Sequence, residues 1–386
     1  MKYLIQTVVA VMLVCGNLWG AHPSVESVIG RSVVNEGNNA RLKDFFAKAE
    51  AGSHLVVATL GGSITQGFNA SSSRFRYADR IVEALQKKFP KSHFELINAG
   101  VGATGSKYGV LRLQRDLFCR RPDLVIFEYA VNDGPYRDEY ETFEALIRQS
   151  FNAPWKPAVT VLLNFRPDMD GVQIPQTDIC RHYGIPAVSV QKALMPEIEA
   201  KRLAWKEHSN DKVHPTDAGH GFIASLYMRF LEKAWTKTAD VPISVIPEPL
   251  YSKNFDRTAI FEGEELRPVK NNGWHFNLVA PHESGWESSE PGSTIEFSIS
   301  GETIVFMYWK VNGNAGIVEV QVDDLPPRRC NAWFPKTWGG YIATFVAARN
   351  LPDTRHTVKV RLLAEKHRLA KGHAFRIIAL GSAAKK

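Results

Sequence analysis

Between residues 54 and 235, short apolar runs alternate with longer amphipathic stretches, and this alternation limits the possible folds more than any other feature of the chain. We predict five buried strands from the apolar runs: His54–Leu60, Phe94–Ile97, Leu124–Val131, Ala158–Leu163 and Ile185–Val190. We predict helices from the stretches that follow them: Arg74–Phe89, Lys107–Phe118, Glu139–Phe151, Val172–Tyr183, Lys192–Trp205 and Asp217–Trp235. Apolar strands that alternate with helices predict a parallel sheet covered on both faces. In such sheets, functional side chains lie beyond the carboxyl ends of the strands.

The pattern changes after the proline-rich segment Asp240–Leu250, which we predict to be a linker. Beyond it, polar and apolar residues alternate with the two-residue period of half-buried strands. We predict strands at Ser293–Ser300, Thr303–Trp309, Gly316–Val322, Tyr341–Ala348, His356–Leu363 and Ala374–Leu380. Many short strands separated by turn residues predict a β-sandwich of the jelly-roll type. The predicted boundaries are therefore an α/β domain over 22–240, a linker over 241–257 and a β-sandwich over 258–386.

The N-terminus has the pattern of a secretory signal peptide. Lys2 precedes a mostly apolar run, Tyr3–Val14, and small residues follow at Gly16, Gly20 and Ala21. We therefore predict a signal peptide over 1–21 and export to the periplasm or the extracellular space; the alternative is a buried N-terminal strand or helix. The apolar run is too short to cross a bilayer comfortably, and no later stretch is better suited, so we expect no stable membrane association.

The charge distribution does not favour nucleic-acid binding. The chain has 47 Lys and Arg against 40 Asp and Glu, a net charge of +7, but this excess is spread along the chain. Without a dense basic tract, we expect no nucleic-acid partner. The excess permits at most a weak preference for an anionic partner, such as an acidic polysaccharide.

Three cysteines follow the predicted signal peptide: Cys119, Cys180 and Cys330. They lie far apart in the sequence and none belongs to a Cys-x-x-Cys pair, so they predict no metal or redox site. A disulfide is possible with this number of cysteines, but the sequence does not assign one.

Four places in the first domain carry residues suited to chemistry, and the first is Leu60-Gly-Gly-Ser-Ile-Thr-Gln-Gly67. It follows the first predicted strand directly, so Ser63, next to glycines, can occupy a tight, exposed turn. If a helical turn begins there, its free N–H groups favour developing negative charge. The alternative is a serine that only caps a helix.

The second place is the glycine-rich loop Asn98–Gly105, after the second predicted strand. Such loops bring backbone N–H groups close to a ligand. The loop also matches the dinucleotide-binding pattern Gly-x-Gly-x-x-Gly, and Asp123 or Glu128 could supply the acidic residue expected about 20 positions further on. That interpretation places the pattern on the wrong strand and leaves the other three places unexplained.

The third place is Glu128–Gly134, at the end of the third predicted strand, where Asn132 can direct its amide into a pocket. The alternative is a turn or a helix cap, because Asn-Asp-Gly is a common composition for both.

The fourth place is Asp211-Lys-Val-His214, just before the last predicted helix. Pro215 disfavours helical geometry at His214, and the spacing lets the Asp211 carboxylate reach Nδ1 of His214 while Nε2 faces the pocket. The alternatives are a surface hydrogen bond, or a metal site that adds Asp217 and His220. We expect no metal site, because on the helix these two side chains point away from His214.

In this order, the four places resemble the SGNH hydrolase (GDSL-type esterase) superfamily, in the branch with Gly-Gly-Ser-Ile-Thr in its first block. The resemblance covers about residues 54–235 and implies a flavodoxin-like three-layer α/β/α domain. It implies that Ser63 is the nucleophile, that His214 is the general base and that Asp211 orients His214. The superfamily needs no metal or organic cofactor for this chemistry, so we expect none.

The same resemblance implies an oxyanion hole formed by the N–H of Ser63, the N–H of Ala103 and the amide of Asn132. Two positions depart from the pattern. Ala103 stands where the second block normally has Gly, and Gly102 is the nearest alternative backbone donor. Ala130 stands where the third block usually has Gly. A backbone N–H survives at position 103, although the added methyl group narrows the pocket.

The implied activity is ester hydrolysis, and three indirect signs favour O-acetyl groups of a polysaccharide or oligosaccharide as its target. Export is expected, no long apolar lid suited to a lipid chain is evident, and the second domain resembles a carbohydrate-binding module, as in bacterial polysaccharide esterases of this superfamily. Because a fold does not name a substrate, several alternatives stay open: a lipid esterase or thioesterase, an O-acetyltransferase, and an inactive carbohydrate-binding protein. The sequence indicates no oligomeric state.

Three further side chains are candidate substrate contacts. Trp333 and Trp338, in the loop-like segment 331–340, are placed to stack on sugar rings or to fold over the active site. The alternative for both is the core of the sandwich. Arg166, after the fourth predicted strand, is placed to line the cleft or to form a structural salt bridge.

Overall fold

A computed structural model describes residues 25–168 and 173–385 of the chain. The predicted signal peptide, 1–21, therefore lies outside the described residues. The first residue of the predicted helix 172–183 also lies outside them, and the helix itself is observed from Gln173 onward.

The described chain divides into two compact units. The first contains the residues up to Ser106 and Arg115–Tyr251, and the second contains Lys107–Gln114 and the residues from Ser252 onward. The division falls inside the predicted linker, 241–257. The assignment of Lys107–Gln114 to the second unit departs from the predicted boundaries.

Hydrogen bonds explain why Lys107–Gln114 groups with the second unit. The Thr258 hydroxyl donates to the carbonyl oxygen of Val110 over 2.8 Å, and the buried Tyr108 hydroxyl donates to Glu262 over 3.0 Å. The amphipathic pattern of this stretch predicts a helix, but it does not show to which of the two units the helix belongs.

The sheet of the first unit contains six strands: β1 (Val33–Asn35), β2 (His54–Gly61), β3 (His93–Gly100), β4 (Leu124–Glu128), β5 (Ala158–Leu163) and β6 (Ala187–Ser189). Their order is β1-β6-β5-β4-β2-β3. Strands β2 to β6 are parallel, and the short β1 pairs antiparallel with β6 at one edge. The order of the five parallel strands is flavodoxin-like, which confirms the predicted fold. Strand β1 was not predicted, because three half-buried residues carry too little pattern.

The described helices are α1 (Val25–Ser32), α2 (Ala40–Glu50), α3 (Ser63–Gln66), α4 (Tyr77–Lys88), α5 (Ser106–Asp116), α6 (Arg137–Phe151), α7 (Gln173–Tyr183), α8 (Val190–Glu199), α9 (Trp205–His208) and α10 (Asp217–Thr236). Helices α1, α2, α4, α8 and α10 pack in one core with strand residues that include Val57, Ile126 and Leu162. Residues of the alternate strand positions, among them Leu60 and Phe127, are also buried, so both faces of the sheet are covered. Among the described helices, none is long and apolar enough to cross a membrane.

The strands of the second unit are β7 (Arg257–Glu262), β8 (Lys270–Asn272), β9 (His275–Asn277), β10 (Gly285–Ser288), β11 (Thr294–Ser300), β12 (Thr303–Lys310), β13 (Gly316–Val322), β14 (Arg328–Asn331), β15 (Tyr341–Ala348), β16 (Arg355–Lys366) and β17 (Phe375–Ala384). They form two antiparallel sheets. One has the order β15-β12-β17-β10-β9, with β7 also paired to β17, and the other has the order β14-β13-β16-β11-β8.

A single apolar core lies between these two sheets. Phe297 and Val360 of one sheet belong to the same buried cluster as Phe306 and Ile377 of the other. This arrangement confirms the predicted β-sandwich. The six predicted strands are all present, whereas β7 to β10 and β14 were missed because most of them are short and expose many of their residues.

Two local predictions in the first unit were wrong. Strand β4 ends at Glu128 and not at Val131, because the backbone N–H groups of Asn132 and Asp133 donate to the carbonyl oxygen of Tyr129 and turn the chain there. The predicted helix 192–205 is also interrupted: α8 ends at Glu199, and Lys201 adopts a left-handed φ of 57° that a helix does not allow.

Candidate active site

Ser63 lies at the first position of the short helical turn α3, directly after β2. The residue is 9% exposed. As the first residue of the turn, its N–H group has no acceptor within the helix. The turn itself is fixed from the next strand, because the Asn98 side chain donates to the carbonyl oxygen of Thr65 over 2.8 Å.

Two glycines allow this turn to form where it does. A Cβ atom at Gly62 would collide with the amide of Asn132, and a Cβ atom at Gly100 would collide with the backbone of Gln66. The glycines therefore permit two close approaches, one of the Asn132 side chain to the serine turn and one of β3 to the same turn.

A continuous chain of hydrogen bonds joins Ser63 to His214 and Asp211. Ser63 Oγ lies 2.9 Å from His214 Nε2, and His214 Nδ1 lies 2.8 Å from Asp211 Oδ2. With the Nδ1 proton donated to Asp211, Nε2 is the free acceptor for the Ser63 hydroxyl proton. The arrangement can move a proton from Ser63 to His214 and stabilise the charge that results.

The second oxygen of Asp211 holds the backbone of the same loop. Asp211 Oδ1 accepts the N–H groups of Val213 and His214, each over 2.6 Å. Partial burial acts to raise the pKa of Asp211, but the hydrogen bonds from the His214 ring and these backbone groups outweigh it, so the pKa lies below its usual value. Asp211 is therefore ionised at neutral pH and fixes the His214 ring in one tautomer.

Neighbouring residues hold the ends of this loop. The Ser209 hydroxyl donates to the carbonyl oxygen of His214 over 2.7 Å, and the Trp205 indole N–H donates to the carbonyl oxygen of Asp211 over 2.5 Å. Directly after the loop, Thr216 caps α10 by accepting the N–H of Gly219 over 3.3 Å. The position of His214 is thus determined from both sides.

The candidate oxyanion-hole residues Gly102 and Asn132 lie near the serine turn. The Asn132 amide packs against Gly62, and a Cβ atom added at Gly102 would lie 3.8 Å from Ser63 Cβ. Ala103 adopts a left-handed φ of 55°, a conformation in which glycine is normally favoured. Ala103 therefore keeps the backbone conformation that a glycine would adopt here, at a cost of about 1 kcal/mol in folding free energy.

Asp133 fixes the turn that carries Asn132. The carboxylate is buried, and it accepts the backbone N–H of Ser106 over 2.7 Å and the side-chain amide of Gln176 over 3.0 Å. The first of these bonds caps α5. Asp133 thus anchors the start of a helix that lies 27 positions earlier in the chain, whereas the helix that follows Asn-Asp-Gly begins after Tyr136 with no side-chain cap.

Glu128 is a buried carboxyl group beneath the serine turn, and its sequence position had indicated only a possible nucleotide ligand. It is inaccessible to solvent, and Oε2 accepts the Thr65 hydroxyl over 3.1 Å; the Tyr77 hydroxyl lies 2.8 Å from the same Thr65 oxygen. Burial raises the pKa of Glu128 to about 7, and the Thr65 and Asn164 side chains offset only part of that effect. In the sequence, the signal for a buried carboxyl group was an ionisable residue inside the otherwise apolar run 124–131.

The stability of the Glu128→Gln variant relative to the wild type should increase as the pH rises from about 4.5 to about 7. The unfolded chain releases the Glu128 proton near the ordinary pKa of 4.5, and the folded chain near 7, so the wild type loses stability between these values. The Glu128→Gln variant lacks this proton. Its unfolding free energy relative to wild type should rise by about 3 kcal/mol across this window and then stay constant. Urea titrations at several pH values measure this difference in unfolding free energy. The control is Glu199→Gln, at an exposed position. A difference that does not change with pH would show that Glu128 is not held neutral by burial.

The other candidate residues are engaged elsewhere. Arg166 forms a two-point salt bridge with Asp168, with both distances 3.2 Å, so the structural alternative for this residue is observed. In the second unit, Trp333 stacks on His367 with ring centroids 3.8 Å apart. Trp338 is 60% exposed and contacts the ring of Phe334.

The side chains that the metal and dinucleotide alternatives would use have hydrogen-bond partners within the protein. The Asp217 carboxylate accepts two hydrogen bonds from Ser71, and Nδ1 of His220 accepts the backbone N–H of Tyr77. Asp123 accepts the N–H of Val56 over 3.0 Å. Within the described residues, no group of three or more His, Cys, Asp or Glu side chains is arranged to hold a metal ion. Cys119, Cys180 and Cys330 are unpaired.

Comparisons with known proteins agree with this fold. The model of the GDSL-like lipase/acylhydrolase family matches residues 59–222. Two crystal structures of a two-domain esterase active on acetylated mannans, one co-crystallised with mannopentaose, are 32% identical to this chain, with TM-scores of 0.86 and 0.85. They match over 93% of this chain and over 99% and 98% of their own. The acetylxylan esterase of Geobacillus stearothermophilus is 22% identical over 192 residues, 42% of this chain and 83% of that protein.

The parallel sheet, the serine turn after its first parallel strand and the Asp-x-x-His loop before its last helix define an SGNH-type esterase. The chain belongs to the GDSL-like lipase/acylhydrolase family, and its similarity to the two-domain esterase extends through both units. The protein is accordingly a carboxylic ester hydrolase with a C-terminal β-sandwich.

Proposed function

We propose that this protein removes O-acetyl groups from an acetylated polysaccharide or oligosaccharide through an acyl-enzyme on Ser63. The observation that carries the proposal is the hydrogen-bonded chain from Ser63 Oγ to His214 and on to Asp211, with distances of 2.9 and 2.8 Å. Support for a carbohydrate substrate comes from the 32% identical esterase active on acetylated mannans and from the more distant acetylxylan esterase.

In the first half-reaction, Ser63 Oγ attacks the acetyl carbonyl carbon while His214 Nε2 accepts the hydroxyl proton. Asp211 stabilises the imidazolium that forms, because its carboxylate is already ionised and hydrogen-bonded to Nδ1. When the tetrahedral intermediate collapses, His214 returns the proton to the oxygen of the departing sugar hydroxyl. The sugar leaves, and the acetyl group remains on Ser63.

In the second half-reaction, water takes the place of the sugar. His214 Nε2 accepts a proton from this water as its oxygen attacks the acetyl-Ser63 carbonyl, and the proton then returns to Ser63 Oγ as acetate leaves. These steps need only the side chains described above, and we propose no metal or cofactor.

We assign the oxyanion hole to the N–H of Ser63, a backbone N–H of the 102–103 segment and the side-chain amide of Asn132. The Ser63 N–H opens α3, Gly102 lies close to the Ser63 side chain, and the Asn132 amide packs against Gly62. Ala103 is the donor implied by the family pattern, and Gly102 is the alternative. Each well-placed donor is expected to contribute about 3–4 kcal/mol to the transition state.

We further propose that the β-sandwich contacts the carbohydrate through exposed aromatic side chains. Trp338 is the better candidate, because it is exposed and supported by Phe334 and Tyr341, which lie 5.2 and 6.0 Å from its ring centroid. One face of Trp333 is covered by His367. Arg166 is a weaker candidate, because Asp168 holds its guanidinium.

Acetate release from a substrate panel tests the proposed function. The purified protein should release acetate from acetylated mannan or xylan, and it should prefer 4-nitrophenyl acetate to the butyrate and octanoate esters. A preference for the longer chains would indicate a lipid esterase or thioesterase. Faster acetyl transfer to an added sugar acceptor than to water would indicate an O-acetyltransferase, and inactivity of the folded protein on every ester would contradict the proposal.

We also propose that the protein is exported, on the signal-peptide pattern of residues 1–21. The protein recovered from outside the cytoplasm should then lack these residues, which N-terminal sequencing detects. We propose no nucleic-acid partner and no stable membrane association, since neither the charge pattern nor the apolar pattern favours them.

A further inference from the structure

Phe68 presents an aromatic ring to solvent beside the candidate catalytic histidine. The side chain is 56% exposed, and its ring centroid lies 4.4 Å from that of His214, with an angle of 47° between the planes. A single exposed apolar residue is common on protein surfaces and carries no meaning by itself. Phe68 is informative because its ring contacts His214, the group proposed to exchange protons with the ester oxygen.

The loop that carries Phe68 is held firmly to the elements of the active site. The Phe68 N–H donates to the carbonyl oxygen of Ser63 over 2.9 Å. The Asn69 side chain donates to the carbonyl oxygen of His214 over 3.4 Å. The backbone N–H and the hydroxyl of Ser71 donate to Asp217 at the start of α10, over 2.8 and 2.5 Å.

His220 adds a further attachment from below the loop. Its Nε2 donates to the carbonyl oxygen of Phe68 over 3.5 Å, while Nδ1 accepts the backbone N–H of Tyr77 over 3.3 Å. Burial lowers the pKa of His220 to about 4, so the ring is neutral at neutral pH and can make both bonds at once. The loop therefore fixes the place of Phe68 while leaving its ring exposed.

The chemistry of ester cleavage decides what can approach this ring. His214 Nε2 must come within hydrogen-bonding distance of the leaving oxygen, so the leaving group lies along the His214 edge of the site. Phe68, which is itself exposed, contacts the His214 ring. The acetyl carbonyl, by contrast, is expected to point toward the proposed oxyanion donors near Gly102 and Asn132.

We propose that Phe68 forms the leaving-group subsite, where its ring packs against the C–H face of the pyranose that carries the acetyl ester. This inference rests on the proposed function, because only in carbohydrate deacetylation is the leaving group a sugar. A flat, apolar aromatic ring on an anchored loop suits a sugar face, because burial of the ring on contact stabilises the complex and little backbone freedom is lost.

Variants at position 68 test this subsite through substrate selectivity. Phe68→Ala removes the ring, Phe68→Leu keeps apolar bulk without a flat face, and Phe68→Trp keeps an aromatic face. The measured quantity is the ratio of kcat/KM for an acetylated manno-oligosaccharide to kcat/KM for ethyl acetate, whose leaving ethanol is too small to cover the ring. We expect this ratio to fall about 10- to 100-fold in the alanine and leucine variants and to stay within about threefold in the tryptophan variant.

A second measurement does not depend on turnover of the sugar ester. The deacetylated oligosaccharide is the product that would occupy this subsite, so it should inhibit ethyl acetate hydrolysis competitively, and Phe68→Ala should raise its inhibition constant by a similar factor. An unchanged selectivity ratio in the alanine variant would overturn the inference. If the ratio is unchanged because both esters lose activity equally, Phe68 only supports His214. Failure of the proposed function itself is recognised separately, as a wild type that hydrolyses ethyl acetate but releases no acetate from any carbohydrate.

Discussion

Replacing Ser63 with alanine is expected to lower kcat/KM for ester hydrolysis by about 10⁴- to 10⁶-fold. The variant retains His214, Asp211 and the proposed oxyanion donors, but it lacks the oxygen that we propose forms the acyl-enzyme. The Ser63 hydroxyl bonds to His214, so its loss should change the unfolding free energy by no more than about 1 kcal/mol. Initial rates on 4-nitrophenyl acetate, together with urea unfolding, measure both effects.

The matched control is Ser298→Ala, at an exposed position on β11 of the β-sandwich. It makes the same chemical change in the second unit and should retain wild-type rates. A folded Ser63→Ala protein that kept more than about a tenth of wild-type activity would show that another group performs the attack, and it would contradict the assignment of Ser63.

Replacing Asp211 with asparagine is expected to lower kcat by about 10⁴-fold. The asparagine oxygen can keep the two backbone hydrogen bonds from Val213 and His214, so the loop should stay in place. The amide NH₂, however, would face His214 Nδ1 and donate to it, which places the ring proton on Nε2. The imidazole then presents a donor to Ser63 where an acceptor is required. Stopped-assay rates across pH, compared with wild type, measure this loss.

The chain contains a second Asp–His pair that serves as the control for this substitution. In the β-sandwich, His356 Nδ1 lies 2.7 Å from Asp323 Oδ2, and Asp323 Oδ1 accepts the N–H of Thr357 over 2.8 Å. The Asp323 side chain is 41% exposed, close to the 42% of Asp211. Asp323→Asn should therefore have a similar effect on stability with little effect on activity. Equal activity losses in the two variants would refute a special role for Asp211.

Much of the site could be predicted from sequence because its parts lie at boundaries that the sequence marks clearly. Ser63 follows an apolar strand and stands next to glycines, and the Asp211–His214 pair is followed by a proline and a helix cap. The parallel order of the strands then brings these separate places to one edge of the sheet. The resemblance to a family with the same four blocks selected serine hydrolysis over the dinucleotide alternative.

Other features depend on tertiary packing that no local pattern contains. Lys107–Gln114 has the pattern of any helix that follows a strand, so the sequence could not show that it belongs to the second unit. Glu128 lies in an apolar strand, and its pKa depends on complete burial beneath α3. Phe68 is an ordinary loop residue until the fold brings it beside His214, 146 positions away in the numbering.

The acyl-enzyme itself tests the central claim most directly. The wild-type protein should be mixed with an acetylated manno-oligosaccharide, quenched with acid during turnover, and digested for peptide mass spectrometry. The account predicts that the peptide containing Ser63 gains the mass of one acetyl group, with the modification on Ser63, and that no such peptide forms with the deacetylated oligosaccharide. Acetate release without any acetyl-Ser63, continuing at the wild-type rate in the Ser63→Ala protein, would contradict it.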